Sequence, residues 1–124
     1  MRFLLDTHVV LWWLMDDDTM SAEIKEMIDT EAEVLISAAS VWEIAIKQAL
    51  GKVAGPPDLL DIVANCGLVE LPIRSRHAIE AGGLPPLHRD PFDRMLVAQA
   101  RCDGLTLLSR DPHVQRYDVP LRAV

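Results

Sequence analysis

Four acidic residues stand in or beside apolar runs, where folding can gather their side chains: Asp6 in FLLDTH, Glu43 in SVWEIAIK, Asp93 in DPFDRMLVAQA and Asp111 in LLSRD. Asp6 and Asp111 follow strand-like runs, whereas Glu43 and Asp93 lie on predicted helices. Carboxylates gathered in one place repel each other, so such a cluster needs a cation. Mg²⁺ and Mn²⁺ prefer oxygen ligands of this kind. A cation held there suits the hydrolysis of phosphodiester bonds.

Three of these acids also have a simple structural explanation. Asp6 can cap the helix that follows it. Glu43 can form a capping box with Ser40 and an ion pair with Lys47, four residues later. Asp111 begins an Asp-Pro turn. The joint placement of the acids, rather than any one of them, favours a metal site.

The third signature contains two aspartates with different expected roles. Asp90 precedes Pro91, so it is expected at the N-cap of a helix that has Pro91 at its first position. Asp93 then lies in the first turn, where the helix dipole favours an ionised carboxylate. We therefore expect Asp93 to be the ligand and Asp90 to be a cap or an outer partner. Arg94 can contact phosphate or pair with a nearby acid.

Composition narrows the classes of protein that the chain can represent. The chain has 124 residues, half of them hydrophobic, which predicts one domain over residues 1–124 with a substantial core. The formal net charge of −7 is the wrong sign for a non-specific nucleic-acid binder. We expect neither a signal peptide nor a membrane span, because Asp6 and His8 interrupt the apolar start. Cys66 and Cys102 have no metal spacing and are expected to be reduced thiols of a cytoplasmic protein.

Predicted strands and helices alternate along the chain. Strands are expected at residues 2–5, 34–37, 68–71, 105–108 and, at an edge, 119–121. Helices are expected at residues 9–15, 21–33, 40–50, 58–65, 75–81 and 91–102, with a turn at Pro56-Pro57 and a helix end at Gly104. This alternation predicts an α/β fold with a mostly parallel sheet of four to five strands, covered by helices on both faces. The acids then share the carboxyl edge of the sheet, where such folds bind ligands.

The histidines and tryptophans carry less information. No HxxxH spacing marks any histidine as a metal ligand; the four are His8, His77, His88 and His113. The tryptophans are expected to serve the core or an interface rather than to stack on bases; they are Trp12, Trp13 and Trp42.

Taken together, these segments resemble a PIN-domain ribonuclease of the VapC toxin type. The resemblance covers nearly the whole chain: FLLDTHVVLWWL for the first strand and acid, SVWEIAIKQALGK for the glutamate helix, and DPFDRMLVAQARCDGLTLLSRD for the last two acids. It implies a PIN-like three-layer fold and a Mg²⁺ or Mn²⁺ site. It also implies endoribonuclease activity on single-stranded RNA, a homodimer and a VapB-like antitoxin.

The family roles of catalysis and metal binding carry over to Asp6, Glu43, Asp93 and Asp111. Around these ligands we expect outer partners with hydroxyl or carboxyl groups, namely Thr7, Ser40, Asp90 and Ser109. We expect RNA contacts from three basic residues, namely Lys47, Arg94 and Arg110.

Other functions remain open at the level of sequence. A haloacid-dehalogenase-like phosphatase also has an aspartate after its first strand, but it needs a second one where this chain has His8. A receiver-like phosphoacceptor needs an aspartate after the third strand, which LVELPIRS does not offer. A degenerate PIN domain that only binds proteins is a further possibility, and the retention of all four acids argues against it.

Overall fold

A computed structural model describes residues 2–31, 33–52 and 58–124 of the chain, without the side chains of residues 59 and 60. The strands are β1 (Arg2–Leu5), β2 (Glu33–Ser37), β3 (Val69–Leu71), β4 (Thr106–Ser109) and β5 (Leu121–Ala123). The helices are α1 (Thr7–Leu14), α2 (Ala22–Thr30), α3 (Ala38–Ala49), α4 (Leu59–Asn65), α5 (Ser75–Gly83) and α6 (Pro91–Asp103), with a 3₁₀ turn at Val114–Arg116.

The five strands form one parallel sheet in the order β3-β2-β1-β4-β5. Successive residues of β1 supply its two faces: Phe3 and Leu5 join one apolar cluster, and Leu4 joins the other. Helices cover both faces, which confirms the predicted α/β architecture.

The strand order creates the crevice that positions the acids. The chain builds outward from β1 through β2 to β3, then returns to place β4 on the other side of β1. Loops leave β1 and β4 in opposite directions at this point, and open α/β sheets bind ligands in the crevice that results. Asp6 follows β1 directly and Asp111 comes two residues after β4.

Several predicted ends of elements shift in the structure. The helix expected from Ser40 begins at Ala38, because the Ser37 hydroxyl accepts a hydrogen bond from the Ala39 amide at 3.0 Å. Strand β2 therefore runs into α3 without a loop. The second helix ends at Thr30 rather than near Glu33, and the edge strand covers Leu121–Ala123 rather than 119–121.

Other local predictions are confirmed. Asp90 caps α6, and Gly104 ends it in the left-handed conformation at φ 65°, which glycine adopts without steric cost. Cys66 and Cys102 are free. The turn predicted at Pro56-Pro57 lies outside the described residues. Within the described ranges, every helix is too short or too polar to cross a membrane.

Candidate metal centre

Asp6 is held as a buried anion at the start of α1. The residue is 3% exposed; Oδ1 accepts a hydrogen bond from the His8 amide at 2.8 Å, and Oδ2 accepts one from the Ser109 hydroxyl at 2.7 Å. Burial acts to raise the pKa of the Asp6 carboxyl, but the hydrogen bonds from His8 and Ser109 outweigh burial and hold that pKa below its usual value. The helix cap and the buried anion are therefore the same residue.

Asp93 and Asp90 divide the two roles expected at the start of α6. Asp90 Oδ1 accepts from the amides of Phe92, at 2.8 Å, and Asp93, at 3.4 Å, so Asp90 is the cap. The Asp93 carboxylate instead accepts from His88 Nε2 at 2.8 Å. Burial, and then the negative charges of Asp6 and Asp90, raise the pKa of Asp93 to about 7. This repulsion by Asp6 shows that the acids after β1 and on α6 lie within electrostatic reach.

His88 links two of the acids, a role that its sequence spacing did not indicate. Its Nε2 lies 2.8 Å from Asp93 Oδ2 and 3.6 Å from Asp111 Oδ2. Its ring stacks on His113 with the ring centroids 4.9 Å apart. One ligand atom each from His88, Asp90 and Asp93 lie within 4.8 Å of one another. The sequence signal for this role is the position of His88, two residues before Asp90, which is the N-cap of α6.

Asp111 combines the expected turn with a place at the carboxylate cluster. Its Oδ1 accepts from the His113 amide at 2.8 Å, which is the turn contact, while Oδ2 faces His88. The Asp111 amide donates to Ser109 Oγ at 3.1 Å. Ser109 therefore connects Asp6 to Asp111, and His88 connects Asp111 to Asp93.

Glu43 supplies the fourth carboxylate, from α3. The residue is 6% exposed, and Oε2 lies 3.0 Å from Lys47 Nζ, which is the predicted ion pair. The other oxygen, Oε1, is buried and has no hydrogen-bond partner among the described residues. The pKa of His8 is raised, first by its contact with Asp6 and also by the charge of Glu43. Glu43 is thus close enough to act on the surroundings of Asp6.

These features fit a hard divalent cation. A buried oxygen without a partner is costly, and a cation would satisfy Glu43 Oε1. A cation would also offset the negative charges of Asp6 and Asp90, which add to burial in raising the pKa of Asp93. The donor set is rich in carboxylate oxygens, which suits Mg²⁺ and Mn²⁺.

The predicted outer hydroxyls brace the helices that carry the acids. The Thr7 hydroxyl donates to Ser40 Oγ at 2.9 Å, and both residues are buried. This contact ties α1 to α3, so it fixes the elements of Asp6 and Glu43 relative to each other. Ser109, by contrast, contacts a carboxylate directly.

Arg94 differs from the expectation of an RNA contact. Nη1 donates to the Pro85 carbonyl at 3.1 Å, and Nη2 donates to the carbonyls of Ala81 and Leu84 at 2.9 and 3.0 Å. The guanidinium therefore fastens the end of α5 and the loop after it onto α6. These carbonyls engage the donors of Arg94, so the structure gives this residue a packing role, and its expected RNA contact stays a prediction.

Lys47 and Arg110 lie beside the carboxylates. Lys47 lines a groove of about 430 Å³ together with Glu43, Arg89 and Asp90. Arg110 lines a second groove, which contains Asp6 and Asp111.

Comparison with known proteins identifies the family of the chain. The model of the PIN domain family matches residues 3–120. The chain belongs to the PIN-domain family. This PIN domain is 27% identical over 125 residues to ribonuclease VapC22 of Mycobacterium tuberculosis, covering 94% of this chain and 92% of the relative.

Solved structures share the fold at lower identity. The DNA-bound VapBC complex of Salmonella typhimurium contains a chain with a TM-score of 0.74 and 19% identity, covering 99% of this chain and 98% of that one. FitAcB of Neisseria gonorrhoeae contains a chain with a TM-score of 0.70 and 20% identity, and the likeness covers 97% of this chain and 96% of that one. These likenesses confirm the PIN-like three-layer fold.

Proposed function

We propose that this PIN domain is a Mg²⁺- or Mn²⁺-dependent endoribonuclease and the toxin of a type II toxin–antitoxin module. The observation that carries the proposal is the gathering of acids at one edge of the sheet. The Ser109 hydroxyl contacts Asp6 and Asp111, and His88 lies beside Asp93 and Asp111. Glu43 Oε1 is buried without a hydrogen-bond partner among the described residues. Such a cluster is costly alone and becomes favourable around a divalent cation. The similarity to ribonuclease VapC22 supports RNA as the substrate.

In this proposal each acid has a defined part. Asp6 and Asp93 hold the cation directly, and Glu43 and Asp111 bind it directly or through water. A bound Mg²⁺ or Mn²⁺ would supply activation of a water molecule and neutralisation of charge on the phosphate. Glu43 Oε1, which has no other described partner, or Asp6 orients the attacking water.

The neighbours of the acids keep them in place. The Ser109 hydroxyl fixes Asp6 Oδ2, and His88 Nε2 contacts Asp93 Oδ2 at 2.8 Å, with Asp111 Oδ2 3.6 Å away. Partners of this kind set the orientation of metal ligands and contribute about 10- to 100-fold to metal affinity or activity.

Binding of RNA to an acidic protein requires local positive charge. Lys47 and Arg89 line the groove beside Glu43 and Asp90, so cations stand next to the carboxylates despite the net charge of −7. We propose that Lys47 contacts a phosphate that flanks the scissile one, and that Arg110 contacts RNA on the other side of the acids.

The similar structures support one of the proposed partners. Those structures are VapBC complexes and FitAcB, which supports a VapB-like antitoxin for this chain. The resemblance to VapC toxins further leads us to propose a homodimer in the cytoplasm.

Metal binding and cleavage test the proposal together. Calorimetric titration with Mg²⁺ or Mn²⁺ is expected to show saturable binding by the wild type and none by Asp93→Asn. A labelled single-stranded RNA is expected to be cut by the wild type with Mg²⁺, but not in EDTA. Asp118→Asn removes an exposed aspartate elsewhere in the chain and serves as the matched control. Full activity of Asp93→Asn would sink the assignment.

A further inference from the structure

A groove opens from the carboxylate cluster between α1 and the segment after β4. It has a volume of about 350 Å³, and Asp6 and Asp111 form part of its lining. That volume lies at the lower end of the roughly 300–1,000 Å³ range of small-molecule sites, so the groove suits a group of about the size of one nucleotide. If an RNA strand binds with its scissile phosphate at the acids, the nucleotide next to that phosphate lies at this groove.

The walls of the groove offer a flat surface that is fixed in place. Trp12 and Val9 of α1 line it together with Arg110 and Pro112, which follow β4. The Arg110 guanidinium carbon lies 4.6 Å from the centroid of the Trp12 ring, which is a cation–π contact. Trp12 is partly buried against the core, so the indole cannot swing away freely.

Two hydrogen bonds fix the guanidinium of this pair. Arg110 Nε donates to the Val124 carbonyl at 2.6 Å, and Nη2 donates to the Thr19 carbonyl at 2.7 Å. Donors committed to carbonyls are poorly placed to clamp a phosphate, and Asp6 and Asp111 at the same groove repel one. Aromatic rings and guanidinium planes do, however, stack on unpaired bases.

His8 adds a second ring to the same groove. Its centroid lies 6.0 Å from that of Trp12, with 34° between the ring planes, and its side chain is 60% exposed. The groove is therefore lined by two ring systems and by a fixed guanidinium that packs on one of them, with the carboxylates beside them.

We propose that this groove binds an unpaired nucleobase next to the scissile phosphate and sets the base preference of cleavage. Trp12 and Arg110 form the surface on which the base stacks, and His8 borders it. The inference rests on the RNA cleavage proposed above.

An abasic scan on the unmodified protein tests the groove directly. A single abasic nucleotide is moved through a short RNA around a mapped cleavage site, and kcat/KM is measured at each position with Mg²⁺. One position, adjacent to the cut, is expected to lose about 10-fold, since one base stack is worth on the order of 1.4 kcal/mol. The other positions should lose far less. A flat profile would overturn the base site.

Matched variants test which residues are responsible. Trp12→Leu is expected to broaden the base preference at that same position, as read by sequencing the cleaved ends of a randomised RNA pool. Trp42→Leu makes the same change on an exposed tryptophan of α3 that does not line this groove, and it should leave the preference unchanged. Equal profiles for the wild type and Trp12→Leu would count against the proposal.

The outcomes separate this inference from the proposed function. Cleavage that is indifferent to the base next to the cut leaves the nuclease intact and overturns the groove. Absence of Mg²⁺- or Mn²⁺-dependent cleavage overturns both. If Trp12→Leu cleaves with an unchanged profile but no longer co-purifies with the protein encoded by the adjacent gene, the groove belongs to a protein partner and the base site is wrong.

Discussion

Asp6 and Asp93 carry the same carboxyl group at one edge of the sheet, yet their surroundings differ. Asp6 accepts hydrogen bonds from the His8 amide and the Ser109 hydroxyl, which hold its pKa below the usual value despite burial. At Asp93 the helix amides are taken by Asp90, and burial with two neighbouring negative charges raises the pKa to about 7. The fold alone thus favours the ionised form of Asp6, whereas a cation is needed to favour the ionised form of Asp93.

The largest expected effect is on catalysis, for which Asp6 and Asp93 should be equally necessary. Asp6→Asn and Asp93→Asn should each lower kcat/KM for RNA cleavage by more than about 100-fold, because even outer partners of metal ligands contribute 10- to 100-fold. A fluorogenic RNA at saturating Mg²⁺ measures this. Activity of either variant within about 10-fold of the wild type, the low end of that outer-partner range, would exclude a ligand role for the residue.

Replacing Asp93 and replacing Asp6 should change the free energy of unfolding in opposite directions. In EDTA at pH 8, Asp93→Asn should raise the free energy of unfolding by about 1–3 kcal/mol, because it removes a buried charge that is repelled by Asp6. Asp6→Ala should lower it by about 2–3 kcal/mol, because the helix cap is lost and the buried Ser109 hydroxyl loses its acceptor. Urea titration measures both. If both variants changed the free energy of unfolding in the same direction, the contrast between Asp6 and Asp93 would be wrong.

Ser109 should matter more than Thr7, although both carry buried hydroxyls at the same edge. Ser109→Ala should reduce cleavage by about 10- to 100-fold, because Asp6 Oδ2 loses its donor. Thr7→Val should reduce it by less than about threefold, because the Thr7 hydroxyl donates to Ser40 and not to a carboxylate. Steady-state cleavage rates at saturating Mg²⁺ compare the two, and the reverse ranking would contradict this assignment of roles.

The last expected effect is on the pH dependence of stability, and it cannot exceed the change in stability predicted above for Asp93→Asn, because both have the same origin. A carboxyl whose pKa is raised on folding binds its proton more tightly in the folded state, so its contribution is lost as pH rises towards the folded pKa. The stability advantage of Asp93→Asn over the wild type in EDTA should therefore grow between pH 4 and about 7 and then level off. Unfolding curves across this range measure the difference, and a constant difference would show that Asp93 has an ordinary pKa.

Features that are local in the chain could be predicted from its sequence. The Asp90 cap, Pro91 in the first turn and the left-handed Gly104 each depend on a few neighbouring residues. The same local reasoning distinguishes the role of Asp90 from that of Asp93. The alternation of strands and helices was sufficient to predict the parallel sheet.

Features that depend on long-range contact could not be predicted in the same way. His88 gains its role from Asp111, which only the fold brings to it, and no spacing rule anticipates that contact. Arg94 turns its guanidinium to backbone carbonyls, which are present at every residue and leave no mark on the sequence. The sequence predicts a helix start at Ser40, but β2 enters α3 directly and Ser37 provides the cap.

The central claim is that Asp6 and Asp93 jointly hold a divalent cation. Its most direct test is a crystal structure of the protein with Mn²⁺, in which anomalous scattering locates the ion. We expect a peak within about 2.3 Å of carboxylate oxygens of both residues, since hard cations bind oxygen at about that distance. No peak at saturating Mn²⁺, or a peak that contacts neither residue, would contradict the account.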